Sequence, residues 1–169
     1  LESEQVYLPI PNWHGLSKNP VFEIMVSNPN GETDENPLNN QLTSVITLPN
    51  IFPNEFTLQI KTNNLDRARE ISFTVSDLDG TVLYSDNSFS DSTEYNIPLV
   101  VNKGDYQFLL KDSMEDGISV HWWNRNSAPE EIGINGEVRF LSLDGDTLHQ
   151  FNPDFGQELL YNFHVGRMP

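Results

Sequence analysis

Ile71-Ser72-Phe73-Thr74-Val75-Ser76-Asp77-Leu78-Asp79-Gly80-Thr81-Val82-Leu83-Tyr84 decides the fold class. Ile71, Phe73 and Val75 alternate with Ser72 and Thr74, the period-two pattern of a strand with one buried face. Leu78-Asp79-Gly80 breaks the pattern, and Asp-Gly suits a primed hairpin turn. Thr81-Val82-Leu83-Tyr84 then returns as a second strand. The same rhythm runs outward in both directions. Upstream, Phe22 to Val26 alternates and stops at Pro29-Asn30-Gly31, Leu42 to Leu48 is closed by Pro49, and Phe56 to Lys61 alternates again. Downstream, Tyr95 to Val101 and Asp105 to Leu110 flank Asn102-Lys103-Gly104 and read as a hairpin. Gly136 to Leu143 and Thr147 to Phe151 flank Asp144-Gly145-Asp146 and read as another, and Gln157 to Val165 is the last strand. No segment sustains a helical period. The expected fold is all-β: an antiparallel β-sandwich or jelly roll.

The texture changes near Pro49 to Pro53. Before it, Pro9, Pro11, Pro20, Pro29 and Pro37 leave room for few strands; after it, strands follow one another regularly. We expect residues 1–49 to be a partial β segment and residues 50–169 a complete β-sandwich domain. Some fifty residues without a disulfide are few for an independent sandwich. If the front of a domain is missing, a strand edge is left free, which invites self-association. Ser76 to Leu83 and Leu141 to Leu148 look alike, which we read as two hairpins under one turn rule rather than a duplication.

The 169 residues carry 25 acidic and 9 basic side chains, a net charge of −16, and no cysteine. Such a balance argues against nucleic acid and against anionic membrane surfaces, since nothing basic is clustered to neutralise phosphate. Disulfides and thiolate metal sites are excluded. No apolar run approaches the roughly 20 residues of a membrane-spanning helix, so no membrane insertion is expected. No signal peptide stands at Leu1, so export would make this chain a mature or excised piece.

Lys111-Asp112-Ser113-Met114-Glu115-Asp116-Gly117-Ile118-Ser119 is the strongest pointer to chemistry. Three carboxylates crowd the end of a strand, where they repel one another unless a cation or dense hydrogen bonding offsets the charge. Gly117 permits the positive φ that a tight cation-wrapping loop needs. Asp112, Glu115 and Asp116 are therefore candidate ligands for a hard cation, Ca²⁺ above all; the plainer alternative is a solvated acidic turn. The loop is no EF-hand, because Met114 and Trp123 stand where that motif needs oxygen ligands and the flanks are strands. A complete shell of six to eight oxygens needs further donors, with Glu70, Asp77, Asp79 and Asp154 available by residue type.

His121-Trp122-Trp123-Asn124-Arg125-Asn126 follows. Adjacent tryptophans on a strand point to opposite faces, so one of them is exposed or at an edge. Trp122, Trp123, Asn124 and Arg125 are accordingly a candidate ligand-binding group, with an aromatic ring for the C–H face of a sugar and polar groups for its hydroxyls. The alternative is that both rings pack in separate layers. Trp13-His14-Gly15 is a second, weaker candidate. Catalytic motifs are lacking: the four histidines have no nucleophile elbow nearby, and there is no HExxH and no phosphate-binding glycine loop.

The run Phe56 to Asn64, then Asp79 to Tyr84, Gly104-Asp105-Tyr106-Gln107-Phe108, Asp112 to Ser119 and Phe151-Asn152-Pro153-Asp154-Phe155-Gly156 together resemble a recurrent module. It is the C-terminal β-sandwich of secreted Bacteroidetes proteins related to peptide-N-glycosidase F, and the resemblance covers about residues 50–166. In that family the acidic loop more often has glycine near Met114 or Glu115. Val26 to Gly31, Asp34-Glu35 and Asn39-Asn40 resemble the later strands of an Ig-like adhesion domain. The resemblance implies a secreted or cell-surface setting and a non-catalytic accessory role, targeting an enzyme to a glycan or a surface. It carries cation ligands onto Asp112 and Asp116, with Glu115 third, and no catalytic residue. A structural spacer and a glycosidase fragment are the competing readings.

Overall fold

The computed structural model describes residues 20–27, 31, 32, 36, 38, 40–64, 66–120 and 133–166. The chain divides between Leu48 and Pro49 into two compact units. In the first, the described residues form an antiparallel ribbon of β1 (Val21–Met25) and β2 (Gln41–Val45), with Phe22 opposite Ser44 and Ile24 opposite Leu42. Among the described residues no helix is long and apolar enough to cross a membrane.

The second unit is a sandwich. Its strands are β3 (Asn50–Phe52), β4 (Glu55–Lys61), β5 (Ile71–Asp77), β6 (Val82–Asp86), β7 (Glu94–Val100), β8 (Gly104–Asp112), β9 (Glu137–Leu141), β10 (Thr147–Gln150) and β11 (Glu158–Val165). One sheet runs β10-β9-β4-β7 and the other β3-β11-β8-β5-β6. Every pair is antiparallel except β3 with β11, which is parallel. The all-β expectation holds because alternation puts one apolar row per strand into the gap: Phe56, Leu58 and Ile60 from β4, Ile71, Phe73 and Val75 from β5, Tyr106, Phe108 and Leu110 from β8. Phe140 of β9 sits at the centre, its ring 5.2–5.6 Å from those of Phe52, Phe56, Phe108, Phe151 and Phe163.

Two local expectations need revision. The stretch Asn102-Lys103-Gly104 does not close a hairpin, because β7 pairs with β4 in one sheet while β8 pairs with β5 and β11 in the other. It is an arch across the core. Leu99 and Val101 face inward from one side and Tyr106 from the other, and the Tyr106 hydroxyl donates to the Asn102 carbonyl at 2.9 Å. Turn residues mark where a chain reverses and say nothing about which layer the return strand joins. The Asp-Gly turn is also not primed: the positive φ falls on Gly80 and not on Asp79. Gly80 N–H bonds the Asp77 carbonyl and Asp77 N–H bonds the Thr81 carbonyl, each at 3.1 Å, giving a three-residue loop of type I turn plus bulge. Gly145 and Ser142 make the same two bonds, to Ser142 and Asp146, so the look-alike segments do share one turn geometry, in different sheets.

Tyr84 bridges the open side between the β6 and β7 edges. The Tyr84 hydroxyl donates to the Val100 carbonyl at 3.0 Å and accepts from its N–H at 2.9 Å. Removing the central ring has the larger effect: Phe140→Ala is expected to cost about 3–5 kcal/mol, lowering Tm by roughly 10–20 °C in a thermal melt. A loss below about 1 kcal/mol would show that the rings around Phe140 close over the gap and do not depend on it.

Candidate metal centre

β8 places the acidic loop. Its inward row reads Tyr106, Phe108, Leu110, Asp112, so the same alternation that buries three apolar side chains turns the Asp112 carboxylate inward at the strand's end, where it is 1% exposed. The carboxylate is held by its own loop: Oδ1 accepts the Met114 N–H and Oδ2 the Asp116 N–H, both at 3.0 Å. Two left-handed residues, Glu115 (φ 66°) and Gly117 (φ 69°), turn the chain back, and Ile118 plugs the core beneath. Glu70 arrives from the other side. It ends a 3₁₀ turn (Ala68–Glu70) directly before β5, and the pairing of Ile71 with Asp112 brings the two acids together; Ser113 N–H bonds the Glu70 carbonyl at 3.0 Å.

One carboxylate oxygen from each of Glu70, Asp112 and Asp116 lies within 4.8 Å of the others. Arg67 Nη1 stands 3.9 Å from Asp116 Oδ2 and offsets part of the charge. Burial, then the Asp112 and Asp116 charges, raise the pKa of Glu70, against the pull of Arg67 and Arg69. Burial is also the main cause that raises the pKa of Asp112, partly opposed by the Met114 N–H. A cleft of about 290 Å³ opens beside them, lined by Glu70, Ser72, Lys111, Asp112, Ser113 and Gln157 among others.

Of the three ligands expected from sequence, Asp112 and Asp116 meet. Glu115 stands apart from the trio, its Oε1 accepting Gln157 Nε2 at 3.1 Å. Glu70, a candidate by residue type alone, completes the cluster through the β5–β8 pairing. Asp77 and Asp79 belong to the hairpin at the far end of β5, about 20 Å away along the strand. Asp154 lies in the loop packed on Gly117 but is not in the trio. Trp122, Trp123, Asn124 and Arg125 lie outside the described residues, as do Trp13, His14 and Gly15. Comparison of the chain with protein-family models, curated proteins and solved structures finds no match, so this corner is read from its own residues.

Two outcomes are expected. Both pKa shifts are upward, so the folded form holds these protons more tightly than the unfolded chain does. Glu70 and Asp112 therefore cost stability in full above their raised folded values, and the cost is relieved as pH falls through them. In EDTA, Glu70→Gln should raise Tm at neutral pH, with the gain vanishing by about pH 4; a gain independent of pH would refute ionisation of the part-buried Glu70 as its cause. Gly117→Ala places a Cβ 2.6 Å from the Pro153 carbonyl oxygen in addition to straining φ, and should cost about 2 kcal/mol or more. Gly80→Ala has positive φ with nothing within 4 Å and should cost only about 1 kcal/mol, so denaturant melts of the pair isolate the packing term.

Proposed function

We propose that this chain is a non-catalytic accessory module of a secreted bacterial protein, a β-sandwich that targets a carbohydrate or a surface and carries a structural Ca²⁺ at its acidic corner. The convergence of Glu70, Asp112 and Asp116 carries the cation part of this reading. Three hard oxygen donors from two segments, two of them with raised pKa, are relieved by a cation in a way that solvation of a buried aspartate cannot match. Carboxylates without thiolate or imidazole favour Ca²⁺ or Mg²⁺ over softer metals, and an irregular loop favours the more tolerant Ca²⁺. The accessory role follows from the resemblance to the module found with peptide-N-glycosidase F relatives. Glu115, at φ 66°, is in keeping with it, since it takes up a left-handed conformation in the part of the loop, near Met114 or Glu115, where that family more often has glycine.

A glycan-cleaving site is the second reading, favoured by two acids with raised pKa beside a cleft. The geometry weighs against it. Asp112 is 1% exposed and each of its oxygens accepts one loop N–H, which leaves a lone pair for a small ion but no surface for a sugar ring to approach. Release of glycan from a glycoprotein by this chain would reverse that judgement.

Thermal unfolding in millimolar Ca²⁺ against EDTA tests the cation. Ca²⁺ at a hundredfold over its Kd should add about 2.7 kcal/mol, a Tm rise of roughly 5–10 °C. Asp116→Asn and Glu70→Gln should each abolish most of that rise. Equal melting in Ca²⁺, Mg²⁺ and EDTA would leave a solvated acidic turn and a spacer domain.

A further inference from the structure

We propose that the solvent face of the four-stranded sheet is a docking platform for a neutral saccharide, organised around Arg139. The inference rests on the targeting role above and gives it a place on the fold.

Register builds the platform. Asn96 of β7, Gln59 of β4, Arg139 of β9 and Gln150 of β10 are successive cross-strand partners and form one row about 14 Å across four strands. Glu94, Lys61 and Glu137 form the next row. Gln59 holds the rows together. It lies on the solvent side of its strand yet is only 7% exposed, and its amide uses all four hydrogen-bonding positions. Its Oε1 accepts from Arg139 Nε at 3.0 Å and from Nη2. Its Nε2 donates to Asn96 Oδ1 at 3.0 Å and to Glu94 Oε1 at 3.1 Å.

Arg139 is thereby fixed rather than free. Gln59 grips it on one side and Glu137 Oε2, 3.3 Å from Nη2, on the other. Three of its five N–H donors are engaged, and Nη1 has no partner among the described residues. A guanidinium held in place with two donors to spare has already given up the side-chain entropy that binding otherwise removes.

Charge selects the ligand class. Glu137 is shared between Arg139 and Lys61, and Glu94 stands across Gln59, so the two cations of the platform are matched by two carboxylates; on a chain that carries −16 this leaves no net positive charge to hold a carboxylate or phosphate. Neighbouring hydroxyls suit the row better, since they accept from Nη1 and donate to Glu94. Thr57 with its partners Pro98 and Leu141 forms the row on the other side, a less polar strip for the C–H face of the same ring.

The test is calorimetric titration of the full chain with neutral oligosaccharides of glucose, mannose, galactose, xylose and N-acetylglucosamine, and with sialylated counterparts. The expected result is binding of a neutral oligosaccharide that Arg139→Met weakens at least about tenfold and Arg139→Lys restores poorly, with the folded fraction of each variant checked by its melt. Asn96→Ala, at an exposed position, should weaken it several-fold and covers the case in which Arg139→Met unfolds. Binding that survives both variants, or that is lost only in Trp122→Ala or Trp123→Ala, overturns the platform and leaves the targeting role standing. Tighter binding of sialylated ligands overturns the charge argument and the platform with it. No binding to any oligosaccharide overturns both the platform and carbohydrate targeting.

Discussion

The parity of β8 is the constraint on which the rest of the second unit depends. This strand is the middle one of five, flanked by β11 and β5, and its odd and even positions cannot be exchanged without emptying the core. Once Tyr106, Phe108 and Leu110 point inward, Asp112 must do so too. An aspartate forced inward has to find donors, and the Met114 and Asp116 N–H groups supply them by bending the following loop around it. The acidic corner is thus a consequence of sheet packing and not an appendage to it. Its charge cost is set where the apolar row ends.

The two faces of the sandwich divide the labour. Inside, phenylalanines from both sheets meet edge-on and tilted around Phe140, which gives the module a rigid interior without disulfides. Outside, the four-stranded sheet is knitted by side chains: Gln59 is as well bonded as many buried amides, though it faces away from the core. The rigidity of the interior is what keeps that outer row in register.

Much of the strand content was legible, because Ile71-Ser72-Phe73-Thr74-Val75 and Phe56 to Lys61 carry period-two patterns that only a half-buried strand explains. What sequence does not encode locally is which strands share a sheet. Asn102-Lys103-Gly104 has turn chemistry, and the same residues serve a hairpin or an arch. β3, three residues long and parallel to β11, is too short to show a period. The candidate site divides along the same line. Asp112 and Asp116 are neighbours in the chain and were visible as a cluster. Glu70 is forty-two positions from Asp112, and only the antiparallel pairing of Ile71 with Asp112 reveals it. Glu115 looks equivalent to its neighbours in the sequence, but its left-handed backbone directs it toward Gln157.

The corner's construction also determines when it can come into being. Asp112 N–H bonds the carbonyl of Gln157, Ile118 N–H bonds the carbonyl of Pro153, and Gly117 packs on that same segment. The pairing of β5 with β8 brings Glu70 to Asp112, and docking of residues 153–157 then completes the corner. These are contacts of long sequence separation, whose loop-closure entropy is recovered only late in folding. A chain emerging from synthesis would carry Glu70 apart from Asp112 and Asp116 until β8 had paired with β5. The crowding of charge is deferred until those two strands have met, and a cation bound there would hold a sheet already paired rather than start its pairing.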